Sequence, residues 1–287
     1  MIKQPKLWLW ISATTVAASI IIIVAVKPTL GIDFTGGSLI EITSPADVPT
    51  LRQALTNQFG LDVQVQATQD DSLLIRTTPL SQEQHQNILE GLREANLLTE
   101  ELRFESIGPT IGDELRRRAF IAIGVAIAAM VVYLAYTFRQ TAGLISSWKL
   151  GLAAAAALIH DLIVVTALFA LLKPFGATID TLFVTAMLAI LGYSVNDTII
   201  IFTRLKSEWT RSRSGNLLEI IDRATRTTLV RSLNTSFTTL LVLGSLLIFG
   251  GETIRWFVAA LTAGTIIGTY SSIFVAPPVL FALAKRK

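Results

Sequence analysis

The stretch GYSVNDTIII, from Gly192 to Ile201, sets Asn196 and Asp197 side by side inside an apolar run. A charged side chain near the centre of a bilayer costs about 2.5–3.5 kcal/mol on insertion scales. A carboxyl escapes most of that cost by taking up a proton. A group that is neutral when sealed from water and charged when wet is a proton carrier. Tyr193 lies one turn before Asp197, so hydroxyl, amide and carboxyl are expected along one face.

Two more apolar runs carry polar groups at comparable depth. ALIHDLIVV places His160 and Asp161 near the middle of one, and VRSLNTSFTT places Arg231, Asn234, Thr235 and Ser236 at the cytoplasmic end of another. For Asp161 and Asp197 the plainer reading is a polar contact between helices, but intramembrane acids default to a functional one. Arg231 either snorkels to lipid headgroups or pairs with a buried acid. Two acids nearby in depth favour the pair. His160 reads equally as an interhelical hydrogen-bonder. The candidate proton relay is therefore Asp197, Arg231, Asn196, Asp161, His160, Tyr193 and Asn234.

No other energy source is evident. The chain has no GxxxxGK phosphate loop. The glycines of GIDFTGG and GPTIGDEL do not follow a strand and open a cytoplasmic helix, so they are poor nucleotide candidates. There are two histidines, His85 and His160, and no cysteine. A histidine-rich metal site and thiol chemistry are excluded, and no cofactor is expected. The chain is expected to act in transport and not as an enzyme.

The elements that must hold these groups are membrane helices. Of 287 residues, 52% are hydrophobic, and they gather into runs of roughly 20, the length that crosses a bilayer core as a helix. Six runs stand out: Leu7–Val26, Ala119–Phe138, Leu150–Leu172, Ile179–Phe202, Leu233–Phe249 and Trp256–Leu283. The fifth is short and the last long enough for a tilt or kink. The first is too long for a signal-peptide core and lacks a clean cleavage site, so it reads as an uncleaved anchor.

Six spans put both termini on one side. Lys3, Lys6, Lys285, Arg286, Lys287, the basic loop Arg139–Lys149 and the basic loop 204–231 all fall on that side, which the positive-inside rule makes cytoplasmic. Arg116, Arg117 and Arg118 disagree, but the long domain before them weakens their vote. Within the cytoplasmic loop, NLLEIIDRATRTTLV has Asn216 and Glu219 at capping-box spacing and Leu217, Ile220, Ile221 and Ala224 on one face. A short interfacial helix is expected there.

Between the first two runs the pattern changes. LDVQVQA (Leu61–Ala67) alternates as a half-buried strand does, and GSLIEIT (Gly37–Thr43), SLLIRT (Ser72–Thr77) and LRFESI (Leu102–Ile107) are strand-like. Two helical stripes interleave, Leu51, Ala54, Leu55 and Phe59, then Ile88, Leu89, Leu92 and Ala95 behind a Ser81–Gln84 capping box. The order strand, helix, strand, strand, helix, strand is the split βαβ, or ferredoxin-like, unit. His85 sits among Gln and Glu and is expected to be solvated. The fold class is thus an α-helical polytopic membrane protein of six transmembrane helices with a ferredoxin-like α+β extracytoplasmic domain between helices one and two. Its segments are 1–30, 31–115 and 116–287.

Four motifs coincide in order along nearly the whole chain: GIDFTGG after the first run, GPTIG before the second, LGYSVNDTIIIFTRLK in the fourth and RSLNTS entering the fifth. Together they resemble the SecF family, the small membrane subunits of the bacterial SecDF protein-translocation accessory complex in the RND-type transporter superfamily. The resemblance implies half of a transporter, with SecD as the other half and the SecYEG translocon, a translocating preprotein and the lipid bilayer as further partners. It implies no nucleic acid. It implies proton flow that helps draw preproteins across the cytoplasmic membrane, and an outer domain that moves as the membrane part cycles. The resemblance maps the family's span-four Asp to Asp197 and its span-five Arg to Arg231. Thr203 stands where an acid is often found, at the loop entry and away from the relay. Two rival expectations remain: an RND-type proton-coupled exporter of lipid or small molecules, and a non-transporting assembly factor.

Overall fold

The computed structural model describes residues 2, 4–68, 72–139, 145–211 and 216–285. Lys3, Arg213, Arg286, Lys287 and residues 140–144, which enter the orientation argument, lie outside the described residues. The chain divides into two compact units. One holds Met1–Pro28, Ile121–Ala177 and Leu182–Lys287, and the other Thr29–Phe120 with Thr178–Thr181.

Among the described residues, six helical segments are long and apolar enough to cross a membrane. They are α1 (Pro5–Val26), α5 (Pro109–Thr137), α6 (Ser147–Leu171), α7 (Thr181–Arg211), α8 (Leu217–Phe249), and α9 (Glu252–Phe274) followed by α10 (Ala276–Lys285). The long last run breaks at Val275, just before Pro277 and Pro278. Those rings supply no N–H and collide with carbonyls four residues back, so the helix cannot run on undisturbed. The expected short interfacial helix is not separate. Residues 217–231 and the fifth run form the single helix α8, and α7 reaches Arg211, which shortens the basic loop. The polar stretch stays helical because its hydroxyls bond back to the preceding turn. Thr225, Thr228 and Ser236 donate to the carbonyls of Ile221, Ala224 and Ser232. Asn216 caps α8 by accepting from the Leu218 amide at 3.1 Å.

Lipid tails are as apolar as leucine, so these helices gain little from hydrophobic burial against one another and rely on close packing. Small residues supply it. α6 buries Gly151, Ala153, Ala154, Ala155 and Ala157. The pair Gly264 and Gly268 on α9 sits against Ile190 and Ser194 of α7. Much of α1, α5 and α8 instead exposes large apolar side chains, among them Trp10, Phe120 and Phe249.

The other unit carries β2 (Gly37–Thr43), α3 (Val48–Phe59), β3 (Gln64–Ala67), β4 (Ser72–Thr77), α4 (Gln82–Glu94) and β5 (Glu100–Ile107). Their sheet runs β3-β4-β2-β5, with every neighbour antiparallel. Alternation puts Ile40, Ile42, Val65, Leu73 and Ile75 on one face, against Leu51 and Leu55 of α3 and Ile88, Leu89 and Leu92 of α4. Asp47 caps α3 through the Thr50 amide, and Ser81 and Gln84 form the capping box of α4.

His85 corrects the expectation of a solvated residue. It is 5% exposed, stacks on Phe104 with ring centroids 3.6 Å apart, and sets Nε2 2.7 Å from Glu101 Oε1. The reason is helical phase: position 85 precedes 88, 89 and 92 by one and two turns, so it shares their inward face.

This unit is wider than residues 31–115. It takes in β1 (Thr29–Leu30), which pairs in parallel with β6 (Thr178–Ile179), a segment expected to begin the fourth span. The GIDFTGG stretch forms a single helical turn, α2 (Ile32–Thr35), closed by Gly36. At φ 69° and with a Cβ position 2.9 Å from Pro109 Cα, residue 36 has room for glycine only. Burial pulls the Arg76 guanidinium below its ordinary range, and the charge of Asp180 opposes that shift.

Candidate functional site

Helix α7 presents two polar stripes. One consists of Tyr193 and Asp197, a turn apart, and meets α8. Tyr193 donates its hydroxyl proton to Ser236 Oγ at 3.1 Å. Asp197, 2% exposed, lies within electrostatic reach of Ser232 and Arg231. Ser232 and Ser236 are also a turn apart, so the antiparallel helices match residue for residue. Ser236 goes on to share a short hydrogen bond with Thr269 of α9.

Asp197 itself is under-satisfied. Its Oδ2 has no hydrogen-bond partner, and neither does the buried Ser232 hydroxyl. Ser232 is therefore near the carboxyl without bonding to that oxygen. No ion pair joins Asp197 to Arg231 among the described residues. Arg231 is exposed in this chain and acts on Asp197 only through its charge. A carboxyl oxygen left open in a water-poor interior is free to receive a proton.

The second stripe, Ser194 and Thr198, meets α6 and α9. Asp161, fully buried, accepts at Oδ2 from Ser194 Oγ at 2.7 Å and from Ser271 Oγ at 2.9 Å. His160 Nδ1 stands 3.2 Å from the other oxygen, Oδ1. Ser272 donates to the Ser194 carbonyl at 3.0 Å, and Thr198 donates to Ser272 at 3.1 Å. Gly268 makes this contact possible. A Cβ there would sit 3.0 Å from Ser194 Cβ and 3.6 Å from Asp161 Oδ2. The His160 Nε2 atom is buried without a partner.

The ends of the two helices are also tied. Arg204 on α7 pairs with Glu208 at 2.7 Å, and Arg223 on α8 approaches the same carboxylate at 3.8 Å. Glu208 is 5% exposed, so its buried carboxylate meets a cation from each of the two helices.

The structure thus gathers His160 with Asp161, Tyr193 with Ser236, and Asp197 with Ser232 and Arg231. It does not gather Asn196 and Asn234, which are exposed. Tyr193 and Asp197 meet α8, whereas Asn196, between them in sequence, is exposed. Six hydroxyl residues were missed: Ser194, Thr198, Ser232, Thr269, Ser271 and Ser272. A signal existed. All but Ser232, which precedes the fifth run, interrupt an apolar run, and GTIIG (Gly264–Gly268) marks the close approach beside Ser271 and Ser272.

Residues 87–286 match the family described as protein export membrane protein SecD/SecF, C-terminal, and residues 21–44 match the SecD/SecF GG motif. The chain is 37% identical over 266 residues to the protein translocase subunit SecF of Thermobaculum terrenum, covering 88% of this chain and 83% of that one. It is 36% identical over 258 residues to the SecF subunit of Pseudomonas aeruginosa, covering 88% and 81%. Among solved structures, SecDF of Thermus thermophilus, a translocon-associated membrane protein, superposes with a TM-score of 0.87 at 30% identity, covering 99% of this chain and 39% of that one. A SecDF structure in a super-membrane-facing form gives 0.68 at 31% identity, covering 97% and 38%. The chain spans about two fifths of those solved SecDF chains.

Proposed function

The chain belongs to the SecD/SecF family of protein-export membrane proteins, and from that premise we propose that it is one half of a proton-driven accessory machine for preprotein export. The observation that carries the proposal is Asp197, buried in a membrane-spanning helix with one carboxyl oxygen unpartnered and a cationic Arg231 within electrostatic reach. In this reading Asp197 receives a proton from the outer side and releases it inward. Arg231 stabilises the charged form. Each proton moving down the potential supplies about 2.3 kcal/mol per 100 mV, enough to bias a two-state arrangement of helices more than tenfold. In this reading the chain needs no covalent chemistry of its own and no cofactor.

The partner is a SecD-type second half. Asn196, Arg231 and Asn234 are exposed on this chain alone, although they lie on membrane-spanning helices. Polar groups at that depth need a protein or aqueous surface against them. The complex works beside the SecYEG channel on a translocating preprotein. It sits in the bacterial cytoplasmic membrane with both termini of this chain in the cytoplasm, as the basic segments favour.

Inverted vesicles from cells with and without the chain test the proposal. Export of a model preprotein should lose most of its stimulation by the proton gradient when the chain is absent. Equal stimulation in both preparations would contradict it and leave the exporter reading in its place.

A further inference from the structure

The first residue of α7 is held by a side chain of its own unit that lies 148 residues away in sequence. Asp33, in the GIDFTGG turn, accepts at Oδ2 from the Thr181 amide at 2.8 Å and from the Thr181 hydroxyl. The amides of a helix's first turn have no partner within the helix, and a carboxylate there also meets the positive end of the helix dipole. The contact does not stand alone. Thr29 and Leu30 pair with Thr178 and Ile179, and the Gly31 amide donates to the Ile179 carbonyl at 2.8 Å. Asp180 faces the partly buried Arg76 of β4 through its charge. The three residues that lead into α7 are therefore built into the extracytoplasmic unit, and α7 continues from them without a break to Asp197.

We propose that Asp33 is a coupling residue: its carboxylate clamps the first turn of α7 to the segment that follows α1, so a shift of α7 is handed directly to the extracytoplasmic unit. The inference rests on the reading of Asp197 as the proton carrier. It adds the route by which a change at that residue leaves the membrane. A rigid helix transmits a push only if its end is held, and Asp33 together with the β1–β6 pair is the holder. The aspartate acts as an acceptor for two donors, not as a proton carrier. An asparagine in its place would still offer an amide oxygen to Thr181, whereas an alanine would offer nothing.

The test uses the full chain with its partner in vesicles. Asp33→Ala should cut the gradient-dependent increment of export about fivefold or more, while Asp33→Asn stays near the parent. Since the chain has no cysteine, Thr29→Cys with Thr178→Cys places one disulfide across the β1–β6 pair. Oxidising that pair in the Asp33→Ala background should restore the increment, and reduction should abolish it again. The reduced pair serves as the folding control. Asp33→Asn falling as low as Asp33→Ala would overturn the clamp in favour of a charge or proton role. Failure of the oxidised pair to rescue would overturn it too. So would a block of export by the oxidised pair in the parent background, which would mean that the joint must open. Amide exchange supplies a readout independent of transport. Asp33→Ala should speed exchange at Thr181–Phe183 about fivefold or more and leave the middle of α7 unchanged. Unchanged exchange there sinks the clamp, whereas a parent with no gradient-dependent export sinks the proton-carrier reading instead.

Discussion

Replacing Ser194 and Ser271 by alanine, singly and together, probes the junction of α6, α7 and α9. Both hydroxyls donate to the same oxygen, Asp161 Oδ2, at 2.7 and 2.9 Å, inside a site with no exposure. Hydrogen bonds to charged groups contribute about 1.5–3 kcal/mol in soluble proteins. Interhelical hydrogen bonds in membranes average about 0.6 and reach about 1.7 kcal/mol. Complete burial and a shared carboxyl acceptor place each bond toward the upper end of the membrane range, so each single variant should lose about 1–2 kcal/mol. The double variant should lose more than the sum. After one replacement Oδ2 keeps a donor, but after both it keeps neither hydroxyl, while His160 contacts only Oδ1. A coupling energy of about 1 kcal/mol in a double-mutant cycle is the expected result. Equilibrium unfolding of the purified protein in mixed micelles measures it. Additivity within about 0.3 kcal/mol would refute the shared-oxygen geometry and, with it, the view that Asp161 fixes the rotation of α7 against α6 and α9.

The fragment from Gly31 to Gly112 should melt cooperatively, because Ile40, Leu55, Ile75 and Leu92 supply a core from within it. His85→Ala should lower its stability by about 2 kcal/mol, the combined worth of an aromatic stack and a hydrogen bond to a carboxylate. That is a Tm drop of about 8–16 °C for a domain of this size, and a change within noise would show that the buried His85 contacts contribute nothing. A cysteine at the exposed Gln53 should react with an impermeant thiol reagent from outside, and one at the exposed Thr210 only after permeabilisation. The reverse pattern would invert the orientation and the direction of proton flow. Arg231→Ala should remove nearly all gradient-dependent export and Arg231→Lys retain part of it, since an ammonium carries the charge without the planar fork. Equal export by Arg231→Ala and the parent would take Arg231 out of the relay.

Several features were legible in the sequence because they follow from periods and lengths. The strand-like runs GSLIEIT and SLLIRT marked β2 and β4 with their ends, and the Ser81–Gln84 spacing marked the start of α4. The apolar runs marked the membrane helices but not their ends. Hydropathy cannot see that Thr225 and Ser236 satisfy themselves within α8, so the helix looked half its length. His85 was misjudged from the polarity of its neighbours in sequence, when its helical phase with Ile88 and Leu92 decided the matter. At the site, the acids and the arginine were legible because charge in an apolar run is costly. The serines were not, since a buried hydroxyl is cheap and its partner lies on another helix. Only the three-dimensional pairing of Ser194 and Ser271 with Asp161 gives them meaning. The tie between Asp33 and Thr181 was equally hidden, because the two residues lie far apart in sequence and no local pattern joins them.

The central claim is that the proton gradient acts through Asp197. Asp197→Asn keeps the shape of the side chain and removes the titrating group. In vesicles carrying the complete complex, preprotein export is measured with and without an uncoupler. The account predicts that Asp197→Asn leaves the protein folded and partnered, with export already at the level the parent falls to once uncoupled, so that the uncoupler has no further effect. If the Asp197→Asn vesicles still lose export on uncoupling to the same degree as the parent, Asp197 is not the carrier, and Asp161 takes its place as the group to be tested.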